Sequence, residues 1–112
     1  MAKPEVNMMT EKGFSLNVKE EIQFPKSGIF SKVLAKSPTY NYTLMCLARG
    51  TDIDTHTSTK NGCVYVIQGK GVFRLFDQDI AMKEGVCIFM PANAPHALKA
   101  DQDLAFLLCL SA

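Results

Sequence analysis

The chain carries two histidines, His56 and His96, and imidazole suits both a divalent transition metal and proton transfer near neutral pH. Their settings are alike. His56 follows Gly50 by six residues and precedes a strand-like run, Val64 to Gln68, that ends in Gly69-Lys70-Gly71. His96 closes Gly85-Val-Cys-Ile-Phe-Met-Pro-Ala-Asn-Ala-Pro-His96, in which an apolar run of strand length stops at Pro91 and a Pro-containing loop delivers the imidazole. Ser58 lies two residues beyond His56, the spacing that puts two side chains on one face of a strand. A hydroxyl there could take a hydrogen bond or act as a nucleophile, but no glycine loop that would bind an oxyanion adjoins it, and Thr57-Ser58-Thr59 reads equally as a polar strand edge. Asp52 and Asp54 reach an imidazole only if their loop folds inward.

The elements that must carry these residues read as short strands. Phe14, Leu16 and Val18 alternate with polar residues, the period of a half-buried strand, and Ile22 to Phe24 continues it up to Pro25. Further strands are expected over 28–34, 40–48, 64–68, 72–76, 80–82, 86–90, 97–99 and 104–110, with Asn61-Gly62 as a hairpin signal. Turn signals every eight to twelve residues, without a helical period, argue for an antiparallel sandwich or barrel. Residues 43–48, 86–90 and 104–110 are apolar on both faces, which a one-sided sheet does not require. The expected cover is a second copy of the chain, making a homodimer with an apolar interface; the alternative is that the sheets and N-terminal strands cover everything.

At 112 residues the chain suits one domain. Residues 1–12, polar and mixed with the apolar pair Met8-Met9, are expected to form a loose arm, and 13–112 the folded domain. Lysine and arginine total 12 against 11 acidic residues, and the lysines are scattered, so the basic stripe that nucleic acid demands is missing. No stretch approaches the ~20 apolar residues of a membrane-spanning helix. The N-terminus has no apolar leader core, and the protein is expected in the cytoplasm. Cys46, Cys63, Cys87 and Cys109 are widely spaced beside or within apolar runs, which points to reduced core thiols. Arg49 and Arg74 could read a carboxylate but are expected at the solvated surface.

These residues resemble the cupin family. Gly50, His56 and Gly69 fall in register with its first motif, a glycine, five residues, His-x-His, three or four residues, a glutamate, six residues and a glycine. Gly85, Pro91 and His96 match the second, a glycine, five residues, Pro-x-Gly, two residues, a histidine, three residues and an asparagine. The match covers residues 50–100 and implies an all-β double-stranded β-helix, a jelly-roll barrel of the RmlC-like type. Four positions depart from it. Ser58 stands at the second histidine, Gly62 at the glutamate, Asn93 at the second motif's glycine and Ala100 at its asparagine. Asn93 tolerates the left-handed backbone that glycine would supply.

The resemblance implies one divalent transition metal, Mn, Fe, Ni, Cu or Zn, with His56 and His96 as its ligands, and oxygenase, isomerase or decarboxylase chemistry. Two imidazoles fall short of the three protein ligands of a usual catalytic site. The chain is similar to a branch of small single-domain cupins with an incomplete motif. The leading expectation is therefore a barrel that binds a small, mostly apolar molecule, with His56, Ser58 and His96 as polar contacts; Val64 and Val66 face the interior whether as pocket lining or as packed core. A metal-dependent enzyme is the alternative. A third reading is a structural barrel whose histidines only satisfy hydrogen bonds.

Overall fold

The computed structural model describes residues 13–112; the arm assigned to residues 1–12, with Met8 and Met9, lies outside the described residues. The fold is a jelly roll of two antiparallel sheets. In chain order the strands are β1 (Ile29–Lys36), β2 (Tyr40–Leu47), β3 (Asp52–His56), β4 (Asn61–Gln68), β5 (Gly71–Leu75), β6 (Gln78–Met82), β7 (Cys87–Met90), β8 (His96–Ala100) and β9 (Leu104–Ser111). One sheet has the order β1-β2-β9-β4-β7 and the other β3-β8-β5-β6. Alternation along the strands decides what lies between them: on β4, Gly62, Val64 and Val66 are buried while Tyr65 is 44% exposed. Val64, Val66, Phe73, Met82, Ile88, Met90, Leu104 and Phe106 form one continuous core between the sheets.

The N-terminal segment differs from the expected strand. Among the described residues its period of two has no pairing partner, and β1 lies beside β2 alone. Asn17 accepts a hydrogen bond from the Lys19 N–H and caps a single helical turn, α1 (Val18–Glu21). Phe14 and Leu16 stay about two-fifths exposed. Val18, Ile22 and Phe24 pack on Leu34, Leu44, Cys46, Ile67 and Ala105, forming a second core on the outer face of the five-stranded sheet. The Lys32 ammonium, paired with Glu21, ties α1 to β1. This segment is the cover that the two-sided apolar patterns of 43–48 and 104–110 required.

Asn61-Gly62 is not a hairpin turn. Neither residue has the positive φ that a two-residue turn of that composition needs, because β3 pairs with β8 in one sheet while β4 pairs with β7 and β9 in the other. The chain instead crosses between sheets at 57–60. The tight hairpin of the neighbouring region is Phe76-Asp77, between β5 and β6, with Leu75 opposite Gln78. Where β4 crosses to β5 the chain runs against the β8–β9 turn. A Cβ on Gly69, whose φ is +96°, would lie 2.0 Å from the Asp103 carbonyl oxygen, so only glycine fits.

The cysteines also differ from the reading of all four as core thiols. All four are free, but only Cys46 is buried; Cys63 and Cys109 are partly exposed and Cys87 is exposed. Strand parity is the reason: Cys63, Cys87 and Cys109 occupy outward positions that α1 does not reach.

Candidate functional site

Both histidines lie in the four-stranded sheet, and the register places His56 directly opposite His96. A bulge produces that match. Ile53 faces Leu98 and His56 faces His96, so β3 takes three steps where β8 takes two. The rings are 4.1 Å apart between centroids, at 59°. His96 is 6% exposed, while His56 is exposed and opens the pair to solvent. On its far side His96 lies opposite Leu75 of β5, and its ring runs parallel to that of Phe73, within 6° and 5.7 Å away.

Each imidazole is held by a hydrogen bond to the backbone two residues earlier. His56 Nδ1 meets the Asp54 carbonyl at 2.9 Å and His96 Nδ1 meets the Ala94 carbonyl at 2.8 Å. A carbonyl only accepts, so Nδ1–H donates in both rings and the neutral form keeps the Nε2 lone pair free. Two such nitrogens on neighbouring strands can accept hydrogen bonds, accept protons or donate to a metal.

The loop that delivers His96 is fixed at three points. The Asn93 N–H donates to the Ser58 carbonyl at 2.6 Å, and the Phe76 N–H donates to the Pro95 carbonyl at 2.9 Å. The Ala92 N–H donates to Asn61 Oδ1 at 3.0 Å. Asn93 has a φ of 69°, as its place in the motif requires. Ser58 reaches the site through its backbone, while its hydroxyl accepts from the Lys60 N–H at 3.2 Å. Phe73 and Asn61 are site residues that the sequence reading did not single out. The alternation of Phe73 and Leu75 with Val72 and Arg74 was a usable signal for the first; nothing local marks the second, whose contact spans 31 residues.

Asp52 and Asp54 do not join the imidazoles. They line an open groove of about 460 Å³ on the outer face of the four-stranded sheet, with Ile53, Val72, Arg74 and Lys99 among its walls. Arg74 pairs with Asp79 at 2.8 Å, and Arg49 is exposed. A second hollow of about 350 Å³ lies on the outer face of the other sheet, between α1 and Tyr65. Val64 and Val66 are packed core.

A family model of the cupin domain matches residues 43–110. The chain belongs to the cupin family. Among solved structures, a conserved protein of unknown function from Streptococcus pyogenes is 26% identical, with a TM-score of 0.80 over 88% of this chain and 86% of that one. A cupin superfamily protein from Desulfitobacterium hafniense is 21% identical, with a TM-score of 0.81 over 86% and 88% of the two chains. The DMSP lyase DddQ from Ruegeria pomeroyi is 13% identical, with a TM-score of 0.69, over 76% of this cupin and 47% of that chain. No curated protein sequence matches.

The donors present do not fit the ligand set of the metal that the cupin family implies. His56 and His96 supply two nitrogens. At the glutamate position, a Cβ on Gly62 would point at Met90, with Cε at 2.6 Å and Cγ at 3.1 Å, and at Leu110 Cδ2, 3.3 Å away. Apolar side chains thus fill the space of a third ligand. Among the described residues no three His, Cys, Asp or Glu side chains converge.

Proposed function

We propose that this cupin binds a small, mostly apolar molecule at the mouth of its barrel, with the imidazoles of His56 and His96 as the polar contacts. The observation that carries this reading is the anchored pair: two adjacent rings, each with Nδ1 spent on a carbonyl and Nε2 free. Such a pair favours a ligand whose polar end donates hydrogen bonds, a hydroxyl or an undissociated acid group. Ser58 belongs to this site through the carbonyl that holds the Asn93 loop. The packed core between Val64 and Phe106 favours binding at the rim over a deep cavity.

The test is an NMR screen of the 15N-histidine protein against small hydroxylated and carboxylated compounds. One compound should shift the Nε2 resonances of both histidines, and His96→Ala should abolish its binding. Compounds that perturb only the outer groove, or none that move either imidazole, would sink the reading.

A metal-dependent enzyme of oxygenase, isomerase or decarboxylase type is the second reading. It is favoured by the Nδ1–carbonyl bonds, which orient metal-binding histidines in general, and by the lyase among the fold's neighbours. It needs a third ligand beyond His56 and His96. Elemental analysis after exposure to Mn, Fe, Ni, Cu and Zn decides it: about one retained metal per chain, lost in His56→Ala and His96→Ala, is the outcome it requires.

A homodimer and a cytoplasmic location complete the proposal. Among the described residues nothing pairs with the outer edge of β1, which is eight residues long and carries Ile29 and Val33 at 44% and 41% exposure, an edge that a second copy would cover. Four free thiols suit a reducing compartment. Sedimentation velocity on wild type and Val33→Lys tests the dimer, which the variant should shift towards monomer.

A further inference from the structure

Three cysteines lie on the outer face of the five-stranded sheet, one on each of three neighbouring strands. Cys63 of β4 is the cross-strand partner of Cys109 of β9. On its other side Cys63 faces Phe89, and Cys87 faces Tyr65, which sets Cys63 and Cys87 diagonally across β4 and β7. Their sulfurs are 3.2 Å apart, within hydrogen-bonding contact. The two thiols differ in setting. Cys87 is exposed and Cys63 is partly covered. Burial first, then the hydrogen bond and charge of Cys87, push the Cys63 thiol up to about 12. This face carries neither histidine, and β7 is the edge opposite β1.

We propose that Cys63 and Cys87 form a reversible dithiol–disulfide site that exchanges with low-molecular-weight disulfides. Cys87, the accessible member, attacks one sulfur of the small disulfide as its thiolate; an S–S bond forms to Cys87 and one small thiolate leaves. Cys63 then gives up its proton to solvent and attacks Cys87 Sγ. The mixed disulfide breaks, the second small thiolate leaves, and the Cys63–Cys87 bond remains. The small disulfide is reduced to two thiols and the protein dithiol is oxidised, so no other oxidant enters. A second thiol already in contact makes the closing step intramolecular, which favours it over a lasting mixed disulfide.

The diagonal placement makes this a labile bond. Diagonal positions lie ~7–8 Å apart, against the ~4.4–6.8 Å that disulfides usually span between Cα atoms. Closure therefore strains the sheet locally, and strained, exposed disulfides are the readily reduced ones. The site belongs with reversible modification and not with structural cross-links.

The experiment uses the full tag-free chain, reduced and then incubated at neutral pH with glutathione disulfide, and followed by intact-mass spectrometry and peptide mapping. Wild type should lose two hydrogens in mass, with Cys63 linked to Cys87, and should regain them in excess reduced glutathione. Cys63→Ser should stop at one stable glutathione adduct on Cys87. Cys87→Ser should react more slowly by about tenfold or more, since only less accessible thiols remain. Circular dichroism melting confirms that each variant is folded; Cys109→Ser, which keeps the reacting pair, should behave as wild type. A Cys63–Cys109 linkage in wild type, a persistent adduct with no linkage, or a linkage that excess glutathione does not reverse would each overturn the proposal.

Discussion

Restoring the missing carboxylate tests whether the interior was traded from metal to apolar packing. Gly62→Glu places a carboxylate where Met90 and Leu110 now sit. The Cβ clears only if Met90 Cε, the end of a flexible side chain, swings away from 2.6 Å and Met90 Cγ and Leu110 Cδ2 yield by a few tenths of an ångström. The buried, unpaired carboxyl then costs about 1–3 kcal/mol, partly offset by about 0.5–1 kcal/mol from removing a glycine in a strand. A net loss of about 1 kcal/mol lowers the melting temperature by roughly 4–8 °C for a domain of this size. Gly62→Glu also raises the donor set from two to three, the number a usual catalytic site holds. A divalent metal at about a hundred times its Kd then returns about 2.7 kcal/mol, bringing the variant back to wild-type stability or above. The assay is thermal melting with and without Zn or Mn, with metal content measured on the same samples. Two results would refute the reasoning. If Gly62→Glu melts with wild type, its carboxylate has escaped to solvent and Gly62 does not face the shared interior. If wild type itself gains as much from metal as Gly62→Glu does, two imidazoles do not limit metal binding.

Two further outcomes follow from the glycine contacts and the thiols. Gly69→Ala should cost about 3 kcal/mol or more, joining a left-handed backbone penalty of about 1–2 kcal/mol to a clash with the Asp103 and Leu104 backbone, whereas Gly50→Ala, with open space around its Cβ, should cost only the backbone part; urea unfolding separates them. Raising the pH above 9 should destabilise the fold through its thiols: Cys63 titrates near 9.0 when unfolded and about 12 when folded, and Cys46 and Cys109 are raised in the same direction by burial. The unfolded chain then loses protons that the folded chain keeps, so stability is fully present below pH 9 and falls from there towards 12. Cys63→Ser should show a shallower alkaline decline.

Much of the barrel was legible because its cause is local. Turn residues and period-two alternation placed every strand but β3 within a few residues, the polar run of β3 giving no such signal, and the spacing of Gly50, His56, Gly85, Pro91 and His96 named the fold that joins them. What failed depended on partners distant in sequence. The alternation of Phe14, Leu16 and Val18 carries no information about whether an edge is free to pair, and Asn17 had a cap to make instead. Asn61-Gly62 has the composition of a turn, yet Asn61 serves a backbone N–H in another loop. The outward cysteines were misread for a related reason: an apolar strand buries both faces only where something lies on the second, and α1 reaches Leu44 and Cys46 but not Cys63.

The joining of the two histidines into one site depends on a single residue of β3. Ile53 faces Leu98, and both contribute to the interior. In an unbroken ladder Thr55 would then face His96, and His56 would fall on the outer surface with Asp52 and Lys99. The bulge between Ile53 and His56 adds one step and reverses that parity, so the imidazoles meet. The same strand ends at His56, so alternation no longer governs Ser58; its hydroxyl turns to Lys60 and its carbonyl to Asn93. Ser58 therefore contributes by fixing the loop that carries His96, and the two-histidine character of the site follows from where β3 bulges and stops as much as from which residues the motif has lost.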